Sequence, residues 1–103
     1  MMTTAHVLIY RPGPAWLPGR SVFQQALQPH LHYMHQLLQS RVLRIGGPFL
    51  DDSGGLVVVN LDTLQAARAC ADADPAVRDG IMQVDVHPWR VMSDELQTVA
   101  SAA

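Results

Sequence analysis

The sequence contains no lysine, since all seven of its basic residues are arginine. A catalytic Schiff base and a Walker-type phosphate loop both require a lysine, so neither can operate here. The single cysteine, Cys70, allows no disulfide within the chain, and this favours a reducing compartment such as the cytoplasm. Cys70 lies in an alanine-rich stretch, where a small half-buried thiol is expected rather than a reactive one.

Charge and long apolar runs are also scarce. Charged residues make up 16% of the chain and the formal net charge is −2, so the sequence offers no basic surface for nucleic acid. No apolar segment approaches the roughly 20 residues that a membrane-spanning helix needs. With 103 residues, 49% of them hydrophobic, we expect one globular domain over about residues 1–90, followed by a tail over 91–103 that is a short helix or frayed.

Hydrophobic spacing and turn residues predict four strands and two helices. The strands are short apolar or alternating runs, and the first helix has apolar residues three or four positions apart. A loop over residues 11–20, with three prolines and two glycines, follows the first strand, and long ordered loops are often functional. In chain order the predicted elements are the strand Ala5–Tyr10, a helix Pro29–Ser40, the strands Val42–Gly47 and Gly55–Asn60, a helix after Asp62, and the strand Ile81–Trp89.

The second helix carries signals at both ends. Asp62 is the predicted N-cap, with Gln65 three residues later as its capping-box partner. Asp74 and Pro75 end the helix, because the residue before a proline avoids the helical conformation.

This order, β-α-β-β-α-β, is that of the ferredoxin-like α+β fold, with an antiparallel sheet and both helices on one face. The unbroken apolar run Leu56–Val59 in the third strand indicates that the other face is covered as well. We therefore expect a homodimer in which two sheets pack face to face around a cavity. The polar side chains expected to line that cavity are His6, Tyr10, Arg44, Asp85 and His87.

The most unusual stretch is GGPFLDDSGG, residues 46–55. A phosphate loop would need a lysine and a following helix, a dinucleotide loop a G-x-G-x-x-G, and a calcium loop spaced oxygen ligands, and all of these are missing. Residues 51–54 suit tight turn conformations, so we predict a hairpin connection. The first half, Gly46–Pro48, ends a strand, where glycine lets another group approach the backbone closely.

Three histidines, His30, His32 and His35, lie in the first predicted helix. At about 100° per residue, His30 points about 200° away from His32 and about 140° away from His35, so the imidazoles do not converge on a metal ion. The apolar stripe lies on the side of His30 and consists of Leu27, Leu31, Met34 and Leu38. His30 is therefore predicted to face inward, His32 and His35 are placed on the solvent-facing flank, and no metal is expected.

Two interpretations of His30 follow from this position. An inward-facing neutral imidazole can act as a general base. A buried, hydrogen-bonded histidine can equally be structural. Asp74, in the turn after the second helix, is either the group that orients such a base or an ordinary turn aspartate.

Together these stretches resemble the YCII-related family. The resemblance runs from about Val7 to Trp89 and comprises, in order, RPGPAW after the first strand, His30 with Tyr33 three residues later, GGPFLDDSGG, ADADPAV, and the closing VHPW. It implies a ferredoxin-like fold that dimerises into an α+β barrel, in agreement with the element order. One departure is Arg41, at a place where the family usually ends its first helix with glycine.

The resemblance also implies a site. Members of the family look like proteins that bind or act on small molecules, and a His-Asp pair is proposed to be catalytic in them. In this chain the pair falls on His30 and Asp74. Gly47 and Pro48 then lie at the pocket edge. The remaining residues expected to contact a substrate are Tyr33, Arg11 and Trp16. Some relatives are dehydrochlorinases of chlorinated aromatic compounds, and the fold is shared with muconolactone isomerase-like enzymes.

Two principal hypotheses follow. The first is a small homodimeric enzyme without cofactor or metal, which eliminates or isomerises a small unsaturated or aromatic substrate by proton transfer at His30, with Asp74 as the orienting group. The second is a non-catalytic dimer whose cavity binds a metabolite or that serves as an accessory module; a domain used only for association is a third possibility. The enzyme hypothesis requires contact between His30 and Asp74 beside a concave space.

Overall fold

A computed structural model of the protein describes residues 3–93. Four strands form one antiparallel sheet in the order β2-β3-β1-β4. The elements are β1 (Thr3–Pro12), a 3-10 turn (Val22–Gln24), α1 (Gln28–Gln39), β2 (Leu43–Pro48), β3 (Gly55–Val59), α2 (Leu64–Asp72), α3 (Pro75–Arg78) and β4 (Met82–Val91). The predicted ferredoxin-like α+β fold is confirmed, with the short α3 as an addition. β4 includes Val91, and the predicted tail beyond residue 93 lies outside the described residues.

The core lies between the sheet and the helices. Because side chains alternate along a strand, the directly paired Leu8 and Val57 lie on one face. The other buried members of this core come from β1, β3, β4, the helices and the residues next to them. They are Tyr10, Leu27, Val59, Ala67, Ala71, Ala76, Ile81, Met82 and Val86. The helices thus cover one face of the sheet, as the element order predicts.

His6 and Tyr10 lie on this helix-covered face, since they alternate with Val7 and Ile9 along β1. His6 is 2% exposed, and its Nδ1 lies 2.7 Å from the carbonyl oxygen of Leu61. The expectation that His6 and Tyr10 line a cavity on the opposite face is therefore wrong. β1 has apolar side chains at even and odd positions alike, so its sequence does not reveal which set faces the helices.

Asp85 and His87 do occupy the opposite face. Asp85 pairs with Ile9 and His87 pairs with Val7, so all four side chains share that side. Arg11 lies there too, with Nε 3.2 Å from the Asp85 carboxylate.

The end of α1 explains how the chain tolerates arginine where glycine is usual. The Val42 N–H donates to the carbonyl of Leu37 at 2.9 Å, and the Arg41 N–H donates to that of Leu38 at 3.1 Å, which is a Schellman motif. This motif needs a left-handed residue, and Arg41 supplies it with φ 64°. A side chain in that conformation costs energy that glycine would avoid.

The capping expectation for α2 is wrong by one residue. Thr63, not Asp62, is the N-cap, and its hydroxyl accepts a hydrogen bond from the Ala66 N–H at 3.0 Å. Asp62 is exposed and precedes the cap. Thr63 has the extended backbone of an N-cap (φ −127°, ψ 151°), which aims its oxygen at the first turn.

The hairpin expectation for GGPFLDDSGG is confirmed, because β2 and β3 pair across it. The Phe49 N–H donates to the Gly54 carbonyl at 2.8 Å and the Asp52 N–H donates to the Phe49 carbonyl at 3.2 Å. Asp52 adopts φ 61°, which aspartate tolerates better than most residues. Its carboxylate also accepts from the Val22 N–H at 3.0 Å and so ties the hairpin to the loop after β1.

No helix between residues 3 and 93 is long and apolar enough to cross a membrane.

Candidate active site

Asp74 is the centre of a buried polar cluster. The Asp-Pro step that ends α2 also begins α3, since Asp74 has an extended backbone and caps that helix. One carboxylate oxygen, Oδ1, accepts from the Ala76 N–H at 2.9 Å. Asp74 is 0% exposed, so its charge depends on protein donors rather than on water.

The other oxygen, Oδ2, accepts from two side chains. Tyr10 donates its hydroxyl at 3.1 Å, and His30 approaches with Nδ1 at 2.6 Å. The rings of Tyr10 and His30 also meet edge to face, with centroids 5.6 Å apart and an interplanar angle of 69°. Three donors from β1, α1 and α3 therefore hold one carboxylate.

This arrangement fixes the orientation of the His30 ring. An ionised carboxylate only accepts hydrogen bonds, so Nδ1 carries the proton that lies between His30 and Asp74. In the neutral imidazole the lone pair then resides on Nε2. Nε2 has no hydrogen-bond partner among residues 3–93, and the ring lines a cavity. The geometry is that of a histidine base oriented by a carboxylate.

Tyr10 is the partner that sequence reasoning placed on the wrong face. Burial, followed by the negative charge of Asp74 and the hydrogen bond to it, raises the pKa of Tyr10 far above its usual range. The phenol therefore stays protonated and keeps donating to Asp74. Only the correct pairing of β1 would have revealed this role.

The cavity beside His30 has a volume of about 470 Å³, within the range of small-molecule sites. One wall is α1, and the other is the end of β2 with the start of β3. Gly47 and Pro48, predicted at the pocket edge, both line it. The lining is mostly apolar, and none of its side chains is an arginine, aspartate or glutamate.

Two leucines of the apolar stripe of α1 face this cavity and not the closed core. Leu31 is 57% exposed and Leu38 is 54% exposed, and both line the cavity together with Met34. The stripe was predicted from its spacing, and the spacing is correct. The open space between α1 and the sheet leaves these side chains accessible, which periodicity alone does not predict.

The loop after β1 forms a further wall. Trp16 lines the cavity, as predicted for a substrate-contacting residue. The loop is held at its start by Gly13, whose N–H donates to the Ile81 carbonyl at 2.9 Å. Gln25, which is 8% exposed, holds the next part: its side chain accepts from the Leu17 N–H at 2.8 Å and donates back to the Leu17 carbonyl at 3.1 Å. No feature of the sequence singles out Gln25 for this function.

Two predicted substrate contacts lie elsewhere. Arg11 is on the opposite sheet face with Asp85 and does not line the cavity. Tyr33 does not line it either, because its hydroxyl donates to the carbonyl of Cys70 at 2.7 Å and so joins α1 to α2. Burial, with the hydrogen bond to Cys70, raises the pKa of Tyr33 above its usual range.

Cys70 itself is half-buried, as the sequence predicts. Burial raises the pKa of its thiol, and the nearby hydroxyl of Tyr33 opposes this rise only in part. The thiol therefore remains protonated near neutral pH and has little nucleophilic character.

His35 lies on the solvent-facing flank of α1, as expected, and it also borders the cavity. His30 lines the same cavity. His32 points away and approaches Gln36 at 3.4 Å. Within residues 3–93, no three His, Cys, Asp or Glu side chains are grouped as metal ligands.

Comparisons with known proteins agree with this architecture. The uncharacterised protein YjpA of Bacillus subtilis (strain 168) is 29% identical to this chain over 68 residues, which cover 66% of this chain and 80% of YjpA.

A solved structure with a similar fold is the 5-chloro-2-hydroxyhydroquinone dehydrochlorinase TftG of Burkholderia phenoliruptrix AC1100, in complex with 2,5-dihydroxybenzoquinone. It superposes with a TM-score of 0.61 over 82% of this chain and 92% of TftG, at 22% identity. At this identity the likeness concerns the fold.

The model of one family, described as the YCII-related domain, matches residues 3–90 and so includes every strand except the last residue of β4. The chain belongs to the YCII-related family.

Proposed function

We propose that this protein is a small enzyme that uses His30 as a general base on a ring-shaped unsaturated substrate, without a metal or an organic cofactor. The observation that carries the proposal is the 2.6 Å contact between His30 Nδ1 and the fully buried Asp74, beside a cavity of about 470 Å³. A purely structural histidine would have no need of an open space at its other nitrogen.

The reaction is an elimination, such as loss of hydrogen chloride, or an isomerisation. Nε2 of His30 takes a proton from the substrate, and the electron pair of the broken bond forms a new double bond. In the elimination, chloride leaves with the pair from its bond to carbon, and the imidazolium later returns the proton to water. In the isomerisation, it returns the proton to another substrate atom. Asp74 stabilises the imidazolium while it exists.

The cavity lining favours one part of this substrate range. It offers no arginine to bind a carboxylate or a phosphate, and the negative charge of Asp74 lies behind His30. Trp16, Met34 and Met82 instead present aromatic and thioether surfaces, which suit a ring. We therefore favour hydroxylated or halogenated aromatic rings over acidic lactones.

The similar fold of TftG supports this choice, because its name describes removal of chloride from a hydroxylated ring and its structure holds a quinone. The alternative of a non-catalytic metabolite-binding dimer remains compatible with the cavity alone. A binding function alone does not explain the His30–Asp74–Tyr10 cluster beside the cavity, and that cluster favours the enzyme.

Turnover by two alanine variants tests this function. The assay measures chloride release from chlorinated hydroquinones and isomerisation of a panel of lactones. We expect His30→Ala to lower kcat by about 100-fold or more, the range of lost general base catalysis. His32→Ala, on the same helix but turned away from the cavity, is the matched control and should keep full activity. Equal rates for wild type and His30→Ala would reject the catalytic role.

The sheet face opposite the helices supports the proposal that the protein is a homodimer. The free thiol of Cys70 is compatible with a reducing compartment. Val7, Ile9 and Leu56 are half-buried there, and with Trp89, which is 44% exposed, they line an apolar depression of about 310 Å³. A second copy packed on this face would complete the α+β barrel. Light scattering at low concentration should give the mass of a dimer, and the mass of a monomer would contradict this assembly.

A further inference from the structure

Tyr10 and His30 share one acceptor atom, Oδ2 of Asp74. The His30 Nδ1 lies 2.6 Å from this oxygen, and the Tyr10 hydroxyl lies 3.1 Å from it. The other oxygen of the carboxylate, Oδ1, accepts from the Ala76 N–H and so caps α3. Asp74 therefore serves the fold with one oxygen, while its second oxygen holds two side chains that line the cavity.

The hydroxyl of Tyr10 is not needed to fill the core. Tyr10 is 2% exposed and packs among apolar side chains, where phenylalanine would occupy the same space without a polar atom that requires a partner. The edge-to-face contact with the His30 ring would also remain with phenylalanine. What the hydroxyl adds is one hydrogen bond, and that bond goes to the oxygen that holds His30.

Two donors at one oxygen share its negative charge. A carboxylate close to a histidine favours the charged imidazolium, so Asp74 alone would increase the affinity of His30 for a second proton. A hydrogen bond to the carboxylate from a third group reduces that effect. Burial, followed by the charge of Asp74 and the hydrogen bond to it, raises the pKa of the Tyr10 phenol far above its usual range. The hydroxyl therefore keeps donating over the whole pH range in which a histidine titrates.

We propose that Tyr10 is a positioning residue that acts on His30 through Asp74. Its hydroxyl weakens the attraction between the carboxylate and the imidazolium, so that His30 remains a free base at a lower pH than it would without this bond. A general base has to be unprotonated at the working pH in order to accept a proton. The inference rests on the proposed function for its effect on catalysis, whereas its effect on the protonation of His30 does not depend on turnover.

The other titratable groups around His30 do not take the place of Tyr10. They are Cys70, Tyr33 and His35. The hydroxyl of Tyr33 donates to the carbonyl of Cys70 rather than to Asp74, and burial raises the pKa of both side chains, so they stay neutral near pH 7. His35 is exposed to water, and β2 borders the cavity with residues that do not titrate.

Nuclear magnetic resonance titration of the full-length protein tests the inference. It measures the pH at which half of His30 is protonated, and the His30 resonances are assigned by their absence from His30→Gln. Tyr10→Phe should raise this midpoint by about 0.5–1 pH unit, because Asp74 loses a donor and attracts the imidazolium more strongly. Tyr33→Phe is the matched control, and it should leave the midpoint unchanged because its hydroxyl donates to Cys70.

A ring-fluorinated tyrosine provides a second measurement that keeps the hydroxyl in place. The chain contains two tyrosines, so Tyr33→Phe produced with the fluorinated amino acid carries it only at position 10. Fluorine makes the phenol more acidic and so a stronger donor to Asp74, and the His30 midpoint should then fall. This measurement decides the inference if Tyr10→Phe does not fold.

The outcomes separate the role of Tyr10 from the proposed catalysis. A midpoint that does not rise in Tyr10→Phe, or that does not fall with the fluorinated ring, would overturn the inference even in an active enzyme. In an active enzyme the acid limb of kcat/KM should move to higher pH together with the midpoint. If the midpoint shifts as expected and the wild type turns over no substrate, the role of Tyr10 stands and only the proposed catalysis is rejected.

Discussion

Two close pairs of a side-chain nitrogen and a carboxylate lie on opposite sides of the sheet in the part of the chain that the structure describes, and they differ mainly in burial. His30 and Asp74 lie 2.6 Å apart with side chains 13% and 0% exposed, under the helices. Arg11 and Asp85 lie 3.2 Å apart with side chains 54% and 51% exposed, on the opposite face. Water solvates the second pair in either state, whereas the first pair depends on its protein partners. Removing a carboxylate from water costs free energy, and the proposed role of His30 as a base gives a reason for the buried pair.

Removing the carboxylate of each pair in turn should give the largest difference between the two pairs, measured as a loss in the free energy of unfolding. Asp74→Ala leaves the Tyr10 hydroxyl, the His30 Nδ1–H and the Ala76 N–H without their acceptor. We expect it to lower the free energy of unfolding by about 3 kcal/mol, the range for buried groups left unpaired and a lost helix cap. Urea denaturation measures this change.

Asp85→Ala is the control for that measurement, and it should change the free energy of unfolding by less than about 0.5 kcal/mol, as exposed pairs do. A loss of similar size in both variants would show that burial does not distinguish the pairs.

Alkaline titration tests the burial of the helix-covered side of the sheet, because both tyrosines of the chain lie there. Burial raises the pKa of Tyr10 and of Tyr33 above the ordinary value of 10.0, with the Asp74 contact adding to the rise at Tyr10 and the Cys70 contact at Tyr33. A group with a raised pKa in the folded state contributes stability that is complete below its unfolded pKa and is lost as the pH rises above it.

We therefore expect stability to decline above about pH 10. As the pH rises, tyrosinate absorbance should appear only when the protein unfolds. Circular dichroism measures the unfolding in the same samples. Ionisation of either tyrosine near pH 10 in the folded protein would contradict the burial of these hydroxyls.

Arg41→Gly should have the smallest effect, since Arg41 lies outside both pairs. Glycine adopts φ 64° without strain, so the variant should gain about 0.5–1 kcal/mol in free energy of unfolding. Thermal unfolding measures the gain. An unchanged or lower Tm would mean that contacts of the arginine side chain offset its backbone strain. The expected gain would also provide a stable background in which to study Asp74→Ala.

The element order and the His30–Asp74 pair could be predicted from the sequence, for different reasons. Periodicity and turn residues are local signals, and they placed all four strands and the first two helices. The pair came from the family resemblance, because no local pattern brings α1 and the α2–α3 turn together. Tyr10 was missed since β1 is apolar on both faces, so only its pairing with β3 and β4 shows which side chains are covered.

Other residues could not be placed because their contacts come from distant parts of the chain. Tyr33 was expected at the substrate and instead bonds to the carbonyl of Cys70 on α2. His35 was assigned to solvent from the helical wheel, which is correct, but a wheel does not show that a cavity opens beside α1. Gln25 is buried by a loop whose path no spacing rule describes.

The ring nitrogens of His30 test the central claim most directly. Nuclear magnetic resonance of isotope-labelled protein shows which nitrogen carries the proton. We predict that the neutral imidazole of His30 is protonated at Nδ1, toward Asp74, and that the Nε2 resonance moves when chlorohydroquinone enters the cavity. The resonances of His6, buried against Leu61, should not move. A proton on Nε2, or a bound ring that leaves the Nε2 resonance unchanged, would contradict the assignment of His30 as the base that faces the substrate.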